Sequence, residues 1–159
     1  GNSALVSAIK ASGAGSLYVE NCDIIARAGG GTALNNPDAA GIALVGAGSA
    51  YMIQARGCRI LAYTDETNYG TGYGVYVESM NSGLVIQLMG CTFPTVALSG
   101  AVQTGALKIP NTAFADAKYH VTGNIFSGAN SSPYIIVPAE NDPADNYYMA
   151  GNMFGVNVG

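Results

Sequence analysis

Tyr119-His120-Val121-Thr122-Gly123-Asn124-Ile125-Phe126 (YHVTGNIF) is one of five segments that align without gaps along the chain. The others are Leu17–Ile24 (LYVENCDI), Ile53–Ile60 (IQARGCRI), Ile86–Phe93 (IQLMGCTF) and Tyr147–Phe154 (YYMAGNMF). The aligned Cys or Asn residues are Cys22, Cys58, Cys91, Asn124 and Asn152, separated by 36, 33, 33 and 28 residues. So loose a period suits stacked units joined by loops of variable length.

Each column has a physical reading. Five and three residues before the Cys/Asn, and two after it, every copy is apolar or aromatic, ending in Ile24, Ile60, Phe93, Phe126 and Phe154. The first two columns are two residues apart, which is strand alternation with these side chains facing inward. Between them lie the outward columns, Tyr18, Gln54, Gln87, His120, Tyr148 and Glu20, Arg56, Met89, Thr122, Ala150. Just before the Cys/Asn stands Asn21 once and Gly57, Gly90, Gly123 and Gly151 otherwise. Asn and Gly tolerate positive φ, so a sharp bend is expected there. A further strand precedes each unit, at 4–9, 41–45, 74–78, 105–109 and 133–137. The expected fold is therefore all-β: a right-handed, single-stranded parallel β-helix (a solenoid) of about five coils. It would form one domain over residues 1–159 and stand about 24 Å tall at one strand spacing per coil.

The competing architectures fit less well. An amphipathic helix needs apolar residues at i, i+3, i+4 and i+7, and the frequent glycines penalise it. A sandwich of hairpins gives no reason for an aligned Gly-Cys/Asn column. Composition agrees with stacked strands. Apolar residues make up 49% of the 159 and charged residues only 10%, below the roughly 25% of an average soluble protein. With six Lys and Arg, unclustered, and a net charge of −4, a nucleic-acid partner is excluded. No apolar run is long enough for a membrane helix, so no membrane insertion is expected. No secretory leader is visible. Three cysteines make no disulfide framework, and they lack zinc spacing.

The Gly-Asn-x-Phe ending, best seen at Gly123–Phe126 and Gly151–Phe154 with Gly90-Cys91-Thr92-Phe93 as a variant, resembles the pectate-lyase-like right-handed β-helix superfamily. Within it, the low charge and small size look most like a bacteriophage tailspike or tail fibre. That resemblance implies a homotrimer on the virion, made in the host cytoplasm, that engages host cell-surface glycan. Tailspike β-helices commonly have more coils and an amphipathic N-terminal cap helix, which this chain lacks. The chain is thus expected to be a fragment or terminal part of a longer fibre. The alternatives are a polysaccharide-degrading β-helix enzyme, hydrolase or lyase, and a bacterial surface β-solenoid.

The sequence offers few sites. The connection Leu61–Tyr73 carries Tyr63, Asp65, Glu66, Asn68, Tyr69 and Tyr73. Aromatic faces for sugar rings, with carboxylate and amide acceptors for hydroxyls, make these the expected ligand-binding residues. Asp65 and Glu66 are the only catalytic candidates, and adjacent residues rarely converge on one bond. Glu20 with Arg56, and Asp23 with Arg59, read as ion pairs between neighbouring units rather than as catalytic acids. Glu78 has no obvious partner. The glycine-rich Ala28–Ala40 connection lacks a phosphate-binding motif. Glu140, Asp142 and Asp145 match no calcium loop and read as a surface turn. No metal and no cofactor are expected. His120, the single histidine, reads as a surface or interface residue. The outward columns turn apolar toward the C-terminus, through Met89, Ile125 and Met153, and a trimer is expected to bury that strip.

Overall fold

The computed structural model describes residues 5–29, 38–64, 71–78, 83–94, 105–108, 118–127, 135–136 and 147–155. These residues are strands and bends, with no helix among them. In chain order the strands are β1 (Leu5–Glu20), β2 (Asp23–Ala28), β3 (Asp38–Arg56), β4 (Arg59–Thr64), β5 (Gly72–Val77), β6 (Leu84–Met89), β7 (Thr92–Phe93), β8 (Gly105–Lys108), β9 (Lys118–Thr122), β10 (Ile125–Phe126), β11 (Ile135–Ile136), β12 (Tyr147–Ala150) and β13 (Met153–Phe154). Every pairing among them is parallel.

The pairing follows the repeat residue by residue. Leu17 pairs with Ile53, Ile53 with Ile86, Ile86 with Tyr119, and Tyr119 with Tyr147. This first ladder joins the second half of β1, the second half of β3, β6, β9 and β12. A second ladder beyond the bend joins β2, β4, β7, β10 and β13, with Phe93 beside Phe126 and Phe126 beside Phe154. A third joins the first halves of β1 and β3 to β5, β8 and β11. Because β1 and β3 run unbroken through two ladders, the first and third form one curled eight-stranded sheet. The sequence places separate strands there. In β1 the joint is instead a register slip at Gly13 and Gly15, with φ of 80° and 150°.

The bend forms as the Gly/Asn column requires. Asn21, Gly57, Gly90, Gly123 and Gly151 have φ of 53°, 59°, 61°, 63° and 63°, all left-handed. The turn carries the chain from the first ladder to the second and aims the next residue between them. Gly72 answers a different need: a Cβ there would collide with the Ala62 carbonyl, so only glycine lets β5 lie this close to β4.

The core lies between the ladders. Ile53, Ile86, Leu88, Val121, Ile60 and Phe126 are fully buried in it, joined by Ile42, Leu44, Val75 and Leu107 from the third ladder. Phe93, Phe126 and Phe154 stack face to face, with centroids 5.0 and 5.1 Å apart and planes within 11° and 9° of parallel.

The Cys/Asn column is a hydrogen-bonded ladder with a constant rule. Each side chain donates to the carbonyl three residues before the corresponding residue of the preceding unit. Cys58 Sγ reaches Val19 O at 3.6 Å, Cys91 Sγ reaches Ala55 O at 3.4 Å, Asn124 Nδ2 reaches Leu88 O at 2.9 Å, and Asn152 Nδ2 reaches Val121 O at 2.7 Å. The asparagines also accept from the preceding unit's backbone: Cys91 N–H donates to Asn124 Oδ1 at 2.8 Å, and Asn124 N–H to Asn152 Oδ1 at 3.0 Å. Cysteine fits this slot because it is small, weakly polar and tolerant of burial.

The three cysteines are all free, but they are not equivalent. Cys22 is exposed, with no unit before it among the described residues, while Cys58 and Cys91 are buried. Burial pushes the Cys91 thiol above its ordinary value of 9.0. In the native protein, alkylation at mildly alkaline pH is expected to label Cys22 alone, and all three only after denaturation. Mass spectrometry counts the adducts, and rapid native labelling of Cys91 would contradict its burial. A raised folded-state pKa also means that the contribution of this thiol to stability is complete below about 9. It is lost as pH rises through the folded value.

Candidate functional site

The outer face of the first ladder is a regular array. Parallel pairing without slippage from unit to unit places side chains of the same column on adjacent strands, about 4.8 Å apart. Its central column is Tyr18, Gln54, Gln87, His120 and Tyr148, each paired with the next in register. Tyr18 is 62% exposed and Tyr148 58%. His120 is exposed between them, and Gln54 and Gln87 are half-buried. The His120 and Tyr148 rings are 5.9 Å apart and tilted by 45°. Tyr18 Oη donates to Met52 Sδ at 3.4 Å, which steadies the ring against the sheet. A shallow hollow of about 310 Å³ opens beside this column, lined by Tyr18, Val19, Glu20, Gln54 and Arg56. A second, of about 360 Å³, lies on the other side, lined by Tyr51, Met52, Gly83, Val85 and residues 14–16.

The carboxylates near this face are engaged. Glu20 lies 4.0 Å from Arg56, and Asp23 Oδ1 accepts from Arg59 Nη1 at 2.8 Å. All four side chains are largely exposed, so each pair contributes about 0–1 kcal/mol. Asp38 Oδ1 accepts from Thr71 N–H at 2.9 Å and from Thr71 Oγ1 at 3.0 Å, tying β3 to the start of β5. Glu78 is exposed just past β5. Among the described residues no three of His, Cys, Asp and Glu gather closely enough to hold a metal ion.

The structure treats the sequence-derived site unevenly. Tyr63 lies in β4 and is half-buried. Tyr73 lies in β5, is 4% exposed and packs its ring 5.5 Å from that of Tyr76, so it has no open face for a sugar. Asp65, Glu66, Asn68 and Tyr69 lie outside the described residues, as do Glu140, Asp142 and Asp145. The described surface that combines aromatic rings with amides is instead the Tyr18–Tyr148 column. Its signal was in the alignment: one outward column holds an aromatic, amide or imidazole side chain in every copy. No family model, curated protein or solved structure matches the chain.

Proposed function

We propose that the chain is a right-handed parallel β-helix of about five coils that binds an extended surface glycan along the outer face of its first ladder. It does so as a structural and receptor-binding segment of a phage tailspike or tail fibre, assembled as a homotrimer. One observation carries the reading: the in-register column Tyr18, Gln54, Gln87, His120, Tyr148. Aromatic faces stack on the apolar side of sugar rings, and carboxamides both donate to and accept from hydroxyls. A column repeating at every rung suits a polymer that also repeats. Glu20 and Asp23 face Arg56 and Arg59 of the next unit, which supports a structural role for these two carboxylates. Lateral trimer contacts would use the apolar positions flanking the bend, Ile125 at 43% and Met153 at 64% exposed.

The test is binding of purified host surface polysaccharide. Tyr18→Ala and Tyr148→Ala are each expected to weaken affinity roughly two- to tenfold without changing the melting temperature, since aromatic contacts contribute about 0.5–1.5 kcal/mol. Unchanged affinity in both variants would remove this face from consideration. New reducing ends that disappear in Asp65→Ala or Glu66→Ala would favour the enzyme reading. Light scattering is expected to give three times the chain mass, and a monomer at micromolar concentration would refute the trimer.

A further inference from the structure

The central column of the first-ladder face lies between two columns of different character. Toward the bend stand Glu20, Arg56, Met89, Thr122 and Ala150, with the Glu20–Arg56 pair at one end. On the other side Ser16, Met52, Val85 and Lys118 pair in register. Met52 and Val85 are half-buried, on neighbouring strands about 4.8 Å apart. Together with Tyr51, Gly83 and residues 14–16 they line the hollow of about 360 Å³. None of these lining residues is charged.

The backbone explains why a hollow opens there. Gly13 pairs with Ala47 and Gly15 with Tyr51, so β3 advances four residues while β1 advances two. The two strands part over that stretch and run in register again from Ser16 and Met52 onward. Gly15 and Gly83, with φ of 150° and 74°, carry no side chain that could refill the space. The hollow crosses three consecutive strands of the ladder, β1, β3 and β6, on its lateral face. A unit stacked beyond either end of the ladders would lie above or below Met52 and Val85 rather than over them. The hollow is also fixed relative to the central column. Gln54 and Gln87 stand two residues further along the same strands as Met52 and Val85, about 6.6 Å away. Tyr18 Oη, donating to Met52 Sδ at 3.4 Å, ties the tyrosine ring to a residue of the hollow.

On the glycan reading proposed above, we infer that this hollow takes a methyl group carried on one edge of the sugar, either the C-methyl of a deoxy sugar or the methyl of an acetyl group. Hydroxyls elsewhere on the same ring exchange hydrogen bonds with the Gln54 and Gln87 carboxamides. The methyl leaves water against Met52 and Val85. A hydroxyl or carboxylate in its place would be desolvated beside two apolar side chains with no charged partner, which disfavours it. Met52 and Val85 are then the residues that set which sugars the column accepts.

A glycan array tests this with pairs of tetrasaccharides that differ at one position per ring: 6-deoxymannose against mannose, and N-acetylglucosamine against glucose. The first pair reads the deoxy source of the methyl and the second the acetyl source. The wild-type protein is expected to favour the methyl-bearing member of at least one pair by roughly fourfold, the value of burying one methyl group. Val85→Thr and Met52→Gln replace apolar atoms of the hollow by polar ones of similar size. Each is expected to cut the preference to about twofold or less, and the double variant to remove it, with the melting temperature unchanged. Binding that Tyr18→Ala weakens, but without preference for either methyl-bearing member, overturns the inference and leaves the glycan reading standing. That wild-type comparison needs no substitution in the hollow, so a variant that failed to fold could not obscure it. A preference that survives in the folded double variant overturns it equally. No binding to any glycan on the array overturns the inference and the glycan reading together.

Discussion

Phe126→Ala is expected to lower stability by about 3–5 kcal/mol, the range for deleting a buried aromatic ring. Phe126 is fully buried and sits between Phe93 and Phe154 at 5.0 and 5.1 Å. Truncation leaves a gap flanked by two rings that belong to different rungs. Those rungs, β7 and β13, are held apart by their backbone pairing to β10 between them, so they cannot collapse toward each other. The transfer cost and the cavity cost therefore both apply. For a chain of this length the melting temperature is expected to fall by roughly 10 °C. Phe154→Ala is the internal control: with half its ring already exposed, its loss is expected to be distinctly smaller. Equal losses at the two positions, or a loss below about 1 kcal/mol at Phe126, would show that the stack is not a buried column.

Asn124→Ala is expected to cost about 2–4 kcal/mol, read by denaturant unfolding. Asn124 is fully buried. Its Oδ1 accepts from Cys91 N–H at 2.8 Å, and its Nδ2 donates to Leu88 O at 2.9 Å and to Asn152 Oδ1 at 3.0 Å. Alanine leaves the Cys91 amide and the Leu88 carbonyl facing a space too small and apolar to hydrate well. An orphaned buried group costs about 1–3 kcal/mol, more than the net value of the bond it lost. Asn124→Cys is expected to recover part of the loss, because Cys58 and Cys91 already serve in this slot with the same acceptors one and two units earlier. If cysteine were no better than alanine, the column would depend on the carboxamide alone, and its use of two residue types would lack a physical basis.

The first ladder was legible because its signal is local and repeated. Inward apolar columns, a residue tolerant of positive φ and a small polar residue recur at fixed offsets, and the gapless alignment is the register of the strands. The ion pairs Glu20–Arg56 and Asp23–Arg59 followed from the same columns. The third ladder was less clear. Ala39, Ala40, Ile42, Ala43 and Leu44 are each 0% exposed, so burial there does not alternate and the sequence shows no period of two. The continuity of β1 through Gly13 and Gly15 was hidden for another reason: glycine usually signals a break, and here it absorbs a register slip within one strand. Tyr73 looked like a loop aromatic because polar residues surround it in sequence. It is buried in β5, which pairs it with Ala40 of β3 and Gly105 of β8, and those are contacts between distant segments. The outward column was visible from the start, but an outward position has no single meaning until exposure and neighbours are known.

The constant register of the Cys/Asn column has a consequence for how the gene can change length. Each unit is bonded to the one before and the one after, and the same offsets hold at every junction. Removing the 33 residues from Cys91 up to Asn124, or duplicating them, rejoins the chain at an equivalent point, with a bend, a donor and an inward ring again in place. An insertion inside Gly123–Phe126 would break that rung's bend and pairing, whereas one between units, outside the third-ladder strands, leaves the register untouched. The coding sequence therefore has two tolerances: whole-rung gain or loss, and variation in the connections outside the three ladders, with the paired segments as the punctuation that permits both.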